Sequence, residues 1–252
     1  MLSPRTPLIT LLSVSLVLAC NTRSRNPADR NSGYLATIQC TFGNRTQTDS
    51  LAYDSLHRLV RFCRIGNETV TADFSYAGNS DSLVSYALNN PQKKGPVIHR
   101  LSYDAQNRII KDTTFPGGPW VYYRYSGDSI LIAGASKTGD TLVSKNNGNL
   151  LVILTPDYRK DMELSIGANP AYYIPNAAVR LLLYEMAGGC YPNWLSNRGV
   201  TVLNIVSPGN AGFPDGQAGY HFACDLDTSL KITRLYDNGS HHPKCDIRFT
   251  YY

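Results

Sequence analysis

The sequence predicts a mostly β protein: one long antiparallel meander, curved or closed into a barrel-like sheet, with one short helix. Three observations predict this class: the composition, a repeated hairpin and a single segment with helical end signals. The 252-residue chain contains 17 Tyr but only three Glu, and Thr, Ser, Gly and Asn are common. Aromatic and β-branched residues favour strands, and good helix formers are scarce. A long open sheet would expose its edges, which favours either closure or covering of the edges.

Residues 1–19 carry the pattern of an export signal. Arg5 supplies a short basic region, and an apolar run extends from Leu8 to Ala19. This run is shorter than the roughly 20 residues that a membrane-spanning helix needs. We therefore expect export of the chain, with residues 1–19 removed as a signal peptide.

The end of this signal, Val17-Leu18-Ala19-Cys20, resembles the lipobox of bacterial lipoproteins. In that family the cysteine thiol receives diacylglycerol and the chain is cleaved before it. The resemblance implies lipidation of Cys20 and anchoring to a membrane of the cell envelope, which we expect to be the outer membrane. Either face of that membrane, periplasmic or exposed at the surface, is compatible with the sequence. An ordinary signal peptide followed by a chance cysteine is the alternative.

Residues 20–33 lack apolar periodicity and are interpreted as the lipidated cysteine with a flexible tether. Arg23, Arg25 and Arg30 could attract anionic headgroups, although a simply solvated tether explains them equally well. Residues 34–252 are expected to form one β-rich domain. The chain has a formal net charge of +5, but its Lys and Arg residues are dispersed, so we expect no nucleic-acid partner.

An internal repeat is the most informative feature of the mature chain. Leu51–Val60 returns as Leu101–Ile110, and both segments read Leu-x-Tyr-Asp-x-x-x-Arg followed by two apolar residues. Phe74–Leu83 corresponds in the same way to Tyr123–Ile130. The period of about fifty residues accommodates four short strands joined by tight turns.

Asp54 and Asp104 follow the predicted strand ends in this repeat. Alternation places the Leu and Tyr of Leu-x-Tyr on one face of the strand. The next side chain, an aspartate, can accept a hydrogen bond from the backbone two residues further on, which starts a turn. We therefore interpret Asp54 and Asp104 as turn formers of β-hairpins rather than as catalytic acids.

The motif Tyr-Asp-x-x-x-Arg-(Leu/Ile) resembles the tyrosine–aspartate repeats of Rhs-type proteins. The chain resembles still more the Bacteroidota lipoproteins built from such hairpins, which are described as porin-like or curved antiparallel sheets of unknown function. The resemblance extends from Tyr34 to Tyr252 and implies an architecture but no activity. In the last repeat, Phe222-Ala-Cys224-Asp225 stands where Tyr-x-Tyr-Asp is usual, so this copy departs from the motif.

The segment from Asn176 to Gly189 interrupts the strand pattern. Pro175 and Asn176 precede a largely apolar run, and Gly188-Gly189 follow it. These are start and stop signals of a helix. We predict a short helix buried against the sheet, with a buried strand as the alternative.

Recognised catalytic motifs are absent from the sequence, which predicts no cofactor and no metal. His241-His242-Pro-Lys-Cys245 groups metal-capable residues, but its spacing is not that of a zinc site. A glycosidase would need two acids beside a cleft. Glu163 and Glu185 are the acids near the aromatic middle of the chain, and both are expected to be ordinary surface residues.

Aromatic clusters are the candidate ligand-binding residues. Tyr and Trp suit a stacking surface for sugars or apolar chains because one end of each side chain is apolar and the other forms hydrogen bonds. Cross-strand packing is the alternative explanation, and it is favoured for Tyr123 and Tyr125. The candidates are Trp120, Tyr122, Tyr172, Tyr173, Tyr191 and Trp194.

Five copies of Asp-(Ser/Thr) followed by an apolar residue or Thr resemble the O-glycosylation acceptor motif of exported Bacteroidota proteins. Turn chemistry, multiplied by the hairpin repeat, explains the same pattern equally well. The candidate acceptor hydroxyls belong to Ser50, Ser82, Thr113, Ser129 and Thr141.

Together these features predict an envelope lipoprotein that is not an enzyme and that binds a glycan or a partner protein. One alternative is a hydrolase of envelope or extracellular polysaccharide that uses Glu163 or Glu185. The other is a structural component of an envelope complex.

Overall fold

The computed structural model describes residues 33–91, 95–134, 137–145, 149–155, 159–187, 195, 198–206, 217–229, 231–237 and 245–252. Within these ranges, strands β1 to β16 pair antiparallel in chain order. Strand β16 pairs with β1, so the sheet closes into a barrel. The mostly β, antiparallel meander with one α-helix is thus confirmed. The strands are Leu35–Phe42, Arg45–Tyr53, Leu59–Ile65, Val70–Tyr76, Leu83–Asn89, Val97–Tyr103, Ile109–Phe115, Trp120–Ser126, Ser129–Gly134, Lys137–Lys145, Asn149–Leu154, Arg159–Ala168, Arg198–Val206, Gln217–Leu226, Ile232–Asp237 and Cys245–Tyr251.

Helix α1, Ala177–Ala187, follows a short 3-10 helix, Pro170–Tyr173, in the connection between β12 and β13. The Asn176 side-chain oxygen accepts hydrogen bonds from the backbone N–H groups of Ala178 at 2.9 Å and Val179 at 3.3 Å. This is the N-cap that the sequence predicts. The predicted helix is confirmed, and the strand alternative is wrong. No helix in the described ranges combines the length and the apolar character that a membrane crossing requires.

Helix α1 lies inside the barrel. Its four consecutive residues from Leu181 to Tyr184 are all buried, so protein surrounds the helix on every side. At its start, Asn176 donates to the backbone carbonyl of Asp81 in the β4–β5 turn at 2.6 Å. At its end, Arg64 of β3 donates to the carbonyl of Met186 at 3.2 Å. The helix therefore runs from one barrel end along the inner surface of the sheet.

The core lies between this helix and the inward-facing residues of the strands. Burial of such apolar side chains is the main source of stability. The largest fully buried side chains are Phe62, Leu35, Ile38, Leu51, Leu59, Leu83, Ile109, Ile132 and Leu142.

The repeated aspartates close tight turns, as predicted. Asp54 Oδ1 accepts from the backbone N–H groups of Leu56 and Arg58, both at 2.9 Å, and Oδ2 accepts from Arg58 Nε at 2.8 Å. Asp104 makes the same three contacts with Gln106 and Arg108 at 2.8–3.0 Å. The interpretation of Asp54 and Asp104 as turn formers is confirmed.

In the last repeat the turn aspartate lies two residues further along the chain than the motif would place it. Asp225 lies inside β14, whereas Asp227 closes the turn by accepting from the backbone N–H groups of Ser229 at 2.8 Å and Lys231 at 2.9 Å. Lys231 takes the place of the repeat arginine. Leu226 occupies the position of the repeat tyrosine, so this copy does not match the Tyr-Asp motif in the sequence.

Tyrosines that end strands tie neighbouring strands together at this turn end of the barrel. Each hydroxyl donates to the backbone carbonyl of the residue that begins the preceding strand. Burial raises the pKa of Tyr103 to about 12, so its hydroxyl remains a donor at neutral pH. The four bonds are Tyr53 to Leu35 at 3.1 Å, Tyr76 to Leu59 at 2.8 Å, Tyr103 to Leu83 at 2.5 Å and Tyr251 to Ile232 at 2.6 Å.

The turn aspartates make stability depend on pH in the acid range. For Asp54, burial opposes ionisation, but hydrogen bonds and charge from Arg58 outweigh it and lower the carboxyl pKa below its ordinary value of 3.8. The Arg108 side chain and backbone lower the pKa of Asp104 likewise. A carboxyl group whose pKa is lower in the folded protein than in the unfolded chain stabilises the fold at any pH above the unfolded-chain pKa. This contribution is lost as the pH falls through the folded-state pKa.

We therefore expect the free energy of unfolding to fall as pH decreases from about 5 to about 2. The double variant Asp54→Asn, Asp104→Asn is expected to be less stable at neutral pH and to show a shallower decline. Its amides still accept the backbone hydrogen bonds but lose the charge. Urea unfolding followed by fluorescence at a series of pH values measures both curves. Parallel curves would contradict the assignment of these two carboxylates.

Candidate functional site

An exposed cluster of large apolar side chains covers the outside of β6, β7 and β8. We call it the outer aromatic face; it comprises Ile98, Phe115, Trp120 and Tyr122. These side chains are 41%, 45%, 40% and 44% exposed, respectively. Most soluble proteins keep such residues scattered, and a contiguous exposed group is typical of an interaction site.

The strand register places these residues together. Ile98 lies directly opposite Phe115. One row further along, Thr113 lies between its two cross-strand partners, Arg100 on β6 and Trp120 on β8. The ring centroids of Trp120 and Tyr122 are 4.6 Å apart, with the ring planes tilted by 56°. The two rings form a continuous angled surface rather than two separate contacts.

Two cations lie over rings of this face. The Arg100 guanidinium is 3.9 Å from the Phe115 ring centroid, and Lys111 Nζ is 5.3 Å from that of Tyr122. Lys111 is the cross-strand partner of Tyr122. Cation–π attraction at such distances holds long side chains against the rings. The face therefore combines flat apolar surface with fixed positive charge.

A buried network behind the face fixes which residues point outward. Asp112 of β7 is buried and accepts a short hydrogen bond from the Tyr86 hydroxyl. Its Oδ1 is 3.0 Å from His99 Nδ1, and the Tyr86 and His99 rings stack at 4.4 Å. Because successive residues of a strand alternate in direction, anchoring Asp112 inside turns Lys111 and Thr113 outward.

Within this network the Tyr86 hydroxyl is held as a hydrogen-bond donor. Burial, and then the charge and hydrogen-bond acceptor of Asp112, raise the pKa of Tyr86. The Tyr86 hydroxyl thus stays protonated and acts as a donor. Glu185 lies on α1. Burial, and then the charge of Glu185, raise the pKa of Tyr123. The Oε1 atom of Glu185 is buried although the residue is partly exposed, so Glu185 is not the fully exposed residue that the sequence predicted.

Glu163 lies on β12 opposite Val202, and its side chain is outside the described part of the structure. In the described ranges, no three His, Cys, Asp or Glu residues group as metal ligands. Residues 241 and 242, which the sequence analysis considered for metal binding, lie outside those ranges, as do residues 1–32 with Cys20.

The structure brings together two of the six predicted ligand-binding aromatics. Trp120 and Tyr122 share the outer aromatic face. Tyr173 instead packs edge-on against Tyr251, with ring centroids 5.6 Å apart, at the turn end of the barrel. Tyr172 belongs to the short 3-10 helix, and its side chain is not described. Tyr191 and Trp194 lie outside the described residues.

Phe115 and Ile98 were not predicted from the sequence, because neither belongs to an aromatic cluster along the chain. Their partnership appears only when β6 and β7 are set in register. Tyr123 is buried in the core, in agreement with the packing role favoured for it.

Two small cavities flank the beginning of α1. One, of about 310 Å³, is lined mainly by apolar side chains that include Ile109, Leu142 and Leu181. The other, of about 380 Å³, has Tyr34, His57 and Tyr103 in its wall. Both volumes are near the lower limit for a pocket that holds a small organic ligand.

The candidate glycosylation hydroxyls occupy strands or turn edges. Ser50 and Thr113 directly follow the buried residues Asp49 and Asp112, so alternation turns both hydroxyls outward. Thr113 borders the outer aromatic face, because it is the cross-strand partner of Trp120. Ser82 precedes β5, Ser129 begins β9 and Thr141 lies within β10. Glycosylation at these five positions stays a prediction.

The barrel is similar to solved structures of bacterial proteins. A porin-like protein from Bacteroides vulgatus matches with a TM-score of 0.53 and 14% sequence identity, covering 87% of this chain and 99% of that one. The likeness shows the fold. A porin-like protein from Bacteroides uniformis matches with a TM-score of 0.39 and 11% sequence identity, covering 88% of this chain and 100% of that one. The TcdB2–TccC3 structure matches with a TM-score of 0.30 and 12% sequence identity, covering 82% of this chain and 14% of that one.

No family model matches the chain, and no curated protein sequence is similar to it. At 14% identity the solved structures carry no site residues over to this chain. Only the chain's own surface indicates its function.

Proposed function

We propose that the protein is an envelope lipoprotein, anchored through Cys20, whose barrel binds a glycan on the outer aromatic face. The barrel supplies a rigid, twisted sheet, and β6, β7 and β8 present their outward side chains as one surface. The proposal includes no catalytic step.

The exposed Trp120–Tyr122 pair is the observation that carries the proposal. The C–H groups on one side of a sugar ring form a flat apolar surface, and aromatic rings stack against such surfaces. The indole N–H and the phenol hydroxyl can also form hydrogen bonds at the edge of the contact. A pair of rings 4.6 Å apart and tilted by 56° suits a curved oligosaccharide better than a flat aromatic ligand.

The envelope location is supported by the signal region and its lipobox-like end at Cys20. The structural neighbour described as porin-like comes from Bacteroides vulgatus, which agrees with an envelope origin. Two or three acyl chains on Cys20 would give a durable anchor. The tether of residues 21–33 would separate the barrel from the membrane.

Binding to polysaccharides tests the proposal. The full-length chain, expressed with its signal and purified in detergent from the membrane fraction, is applied to an array of envelope, capsular and plant polysaccharides. We expect at least one polysaccharide to bind. The variant Trp120→Ala, Tyr122→Ala should bind it at least tenfold more weakly, a difference of about 1.4 kcal/mol, because the stacking surface is gone.

Phe42→Ala provides a matched control. Phe42 is 41% exposed at the end of β1, on another part of the barrel, so its removal should leave the affinity unchanged. Absence of binding to every polysaccharide would overturn the proposed function. Equal affinities of wild type and the Trp120, Tyr122 variant would exclude this face as the site.

A further inference from the structure

The strands around the outer aromatic face carry an uneven distribution of charge. Strands β5 to β9 contain one carboxylate, Asp112, and it is buried inside the barrel. The outward positions of the same strands carry Arg100, Lys111 and Arg124. This part of the outer surface therefore presents three cations and no strand carboxylate.

Several arginines elsewhere on the barrel are paired with carboxylates. Arg61 pairs with Asp73 at 2.6 Å, and Arg234 pairs with Asp246 at 2.7 Å. In the turns, Arg58 and Arg108 pair with the repeat aspartates. Among the described residues, no carboxylate forms an ion pair with any of the three cations of β6 to β8.

The cations are placed where a ligand on the rings would meet them. Arg100 lies over Phe115 and Lys111 over Tyr122, so both charges border the stacking surface. Arg124 follows Tyr122 on the same side of β8. A ligand stacked on Trp120 and Tyr122 thus has positive charge on both sides.

From these observations we infer that the ligand is an acidic polysaccharide, with carboxylate or sulfate groups along the chain. This inference rests on the proposed glycan-binding function and names its substrate class. The sugar rings stack on Trp120 and Tyr122, while their anionic groups pair with Arg100 and Lys111. Guanidinium and ammonium groups bind carboxylate and sulfate oxygens by charge-assisted hydrogen bonds.

The dimensions of the face fit several sugar residues. Neighbouring strands are about 4.8 Å apart, and alternate residues of one strand are about 6.8 Å apart. Arg100 and Trp120 are separated by one intervening strand, and Arg124 lies four residues further along β8. The cations therefore span a length that a single monosaccharide does not cover, and a repeating acidic polymer satisfies them together.

Two pairs of polysaccharides that differ only in charge test the inference. The detergent-purified full-length protein is titrated calorimetrically with polygalacturonate and with its fully methyl-esterified, neutral form. A sulfated galactan and its desulfated form make the second pair. We expect the acidic member of at least one pair to bind tenfold or more tightly than its neutral counterpart, and the pair with the larger ratio identifies carboxylate or sulfate.

The variant Arg100→Gln, Lys111→Gln should lose this preference. The control variant Arg61→Gln, Arg248→Gln removes two positive charges from other strands and should retain it. Raising the salt concentration should weaken acidic binding much more than neutral binding, because exposed charges are screened.

The outcomes separate the two proposals. The wild type could bind the acidic and neutral members of each pair with equal affinity, and the Trp120→Ala, Tyr122→Ala variant could lose that binding. This result would overturn the inference of an acidic ligand and leave the proposed glycan binding intact. No binding to any of the four polymers would overturn the acidic ligand, whereas glycan binding itself is overturned only if the whole polysaccharide array also fails to bind. If phosphatidylglycerol in the detergent micelles displaced the acidic polymer, the face would belong to an anionic membrane surface, which would also overturn the inference.

Discussion

Replacing Asp49 with Ala is expected to lower the free energy of unfolding by about 3–5 kcal/mol. Asp49 is 1% exposed and accepts from Arg64 at both carboxylate oxygens, each at 2.9 Å. Gln47 adds a third hydrogen bond at 3.2 Å. Truncation removes the buried carboxylate that accepts two hydrogen bonds from the largely buried Arg64 guanidinium. Urea unfolding of wild type and variant measures the loss.

The same truncation at an exposed pair is the matched control. Asp73 bonds Arg61 at 2.6 Å, but the two side chains are 38% and 49% exposed. Exposed ion pairs contribute about 0–1 kcal/mol, so Asp73→Ala should have a small effect. A similar loss in both variants would contradict the buried role of Asp49.

A double substitution separates loss of charge balance from loss of packing. Asp49→Leu with Arg64→Met removes both charges and keeps apolar volume, which is often neutral for a buried pair. We expect it to recover most of the stability lost in Asp49→Ala. Because Arg64 also donates to Met186 at the end of α1, the double variant should still show faster amide hydrogen exchange in the last turn of the helix.

The local part of the fold could be predicted from the sequence because its causes are local. A turn aspartate acts on backbone two and four residues away, so Asp54 and Asp104 are recognisable from the motif alone. The cap of α1 depends in the same way on Asn176 and the two residues after Ala177. The last repeat shows the limit: its turn is intact, but Leu226 in place of tyrosine removes the signal.

The sequence left open whether the sheet closes, and it could not predict the composition of the outer aromatic face, because both depend on strand register. Alternation puts Trp120 and Tyr122 on one side of β8 but does not say whether that side faces the core. In the structure Tyr123 is buried in the core, so Tyr122 beside it, and Trp120 on the same side of β8, face outward. Pairing of Ile98 with Phe115, and of Asp49 with Arg64, joins residues on different strands.

The tyrosine hydroxyls at the turn end are expected to stabilise the barrel additively. Tyr53, Tyr103 and Tyr251 end β2, β6 and β16, which are not neighbours in the sheet. Each Tyr→Phe change removes one hydroxyl and leaves a backbone carbonyl without its donor, at a cost of about 1–3 kcal/mol. Changes in the free energy of unfolding at independent sites are additive, so the triple variant should be less stable than wild type by about 3 kcal/mol or more.

Tyr122→Phe makes the same chemical change on the outer aromatic face, where the side chain is 44% exposed. Its effect should stay within about 0.5 kcal/mol. Thermal and urea unfolding of the three single variants, the triple variant and this control measure the contributions. A triple variant as stable as wild type would mean that the repeated tyrosines act through their rings alone. A loss close to the sum of the single effects would show that the motif stabilises the barrel one hairpin at a time, because each hydroxyl ties a strand end to the start of the strand before it.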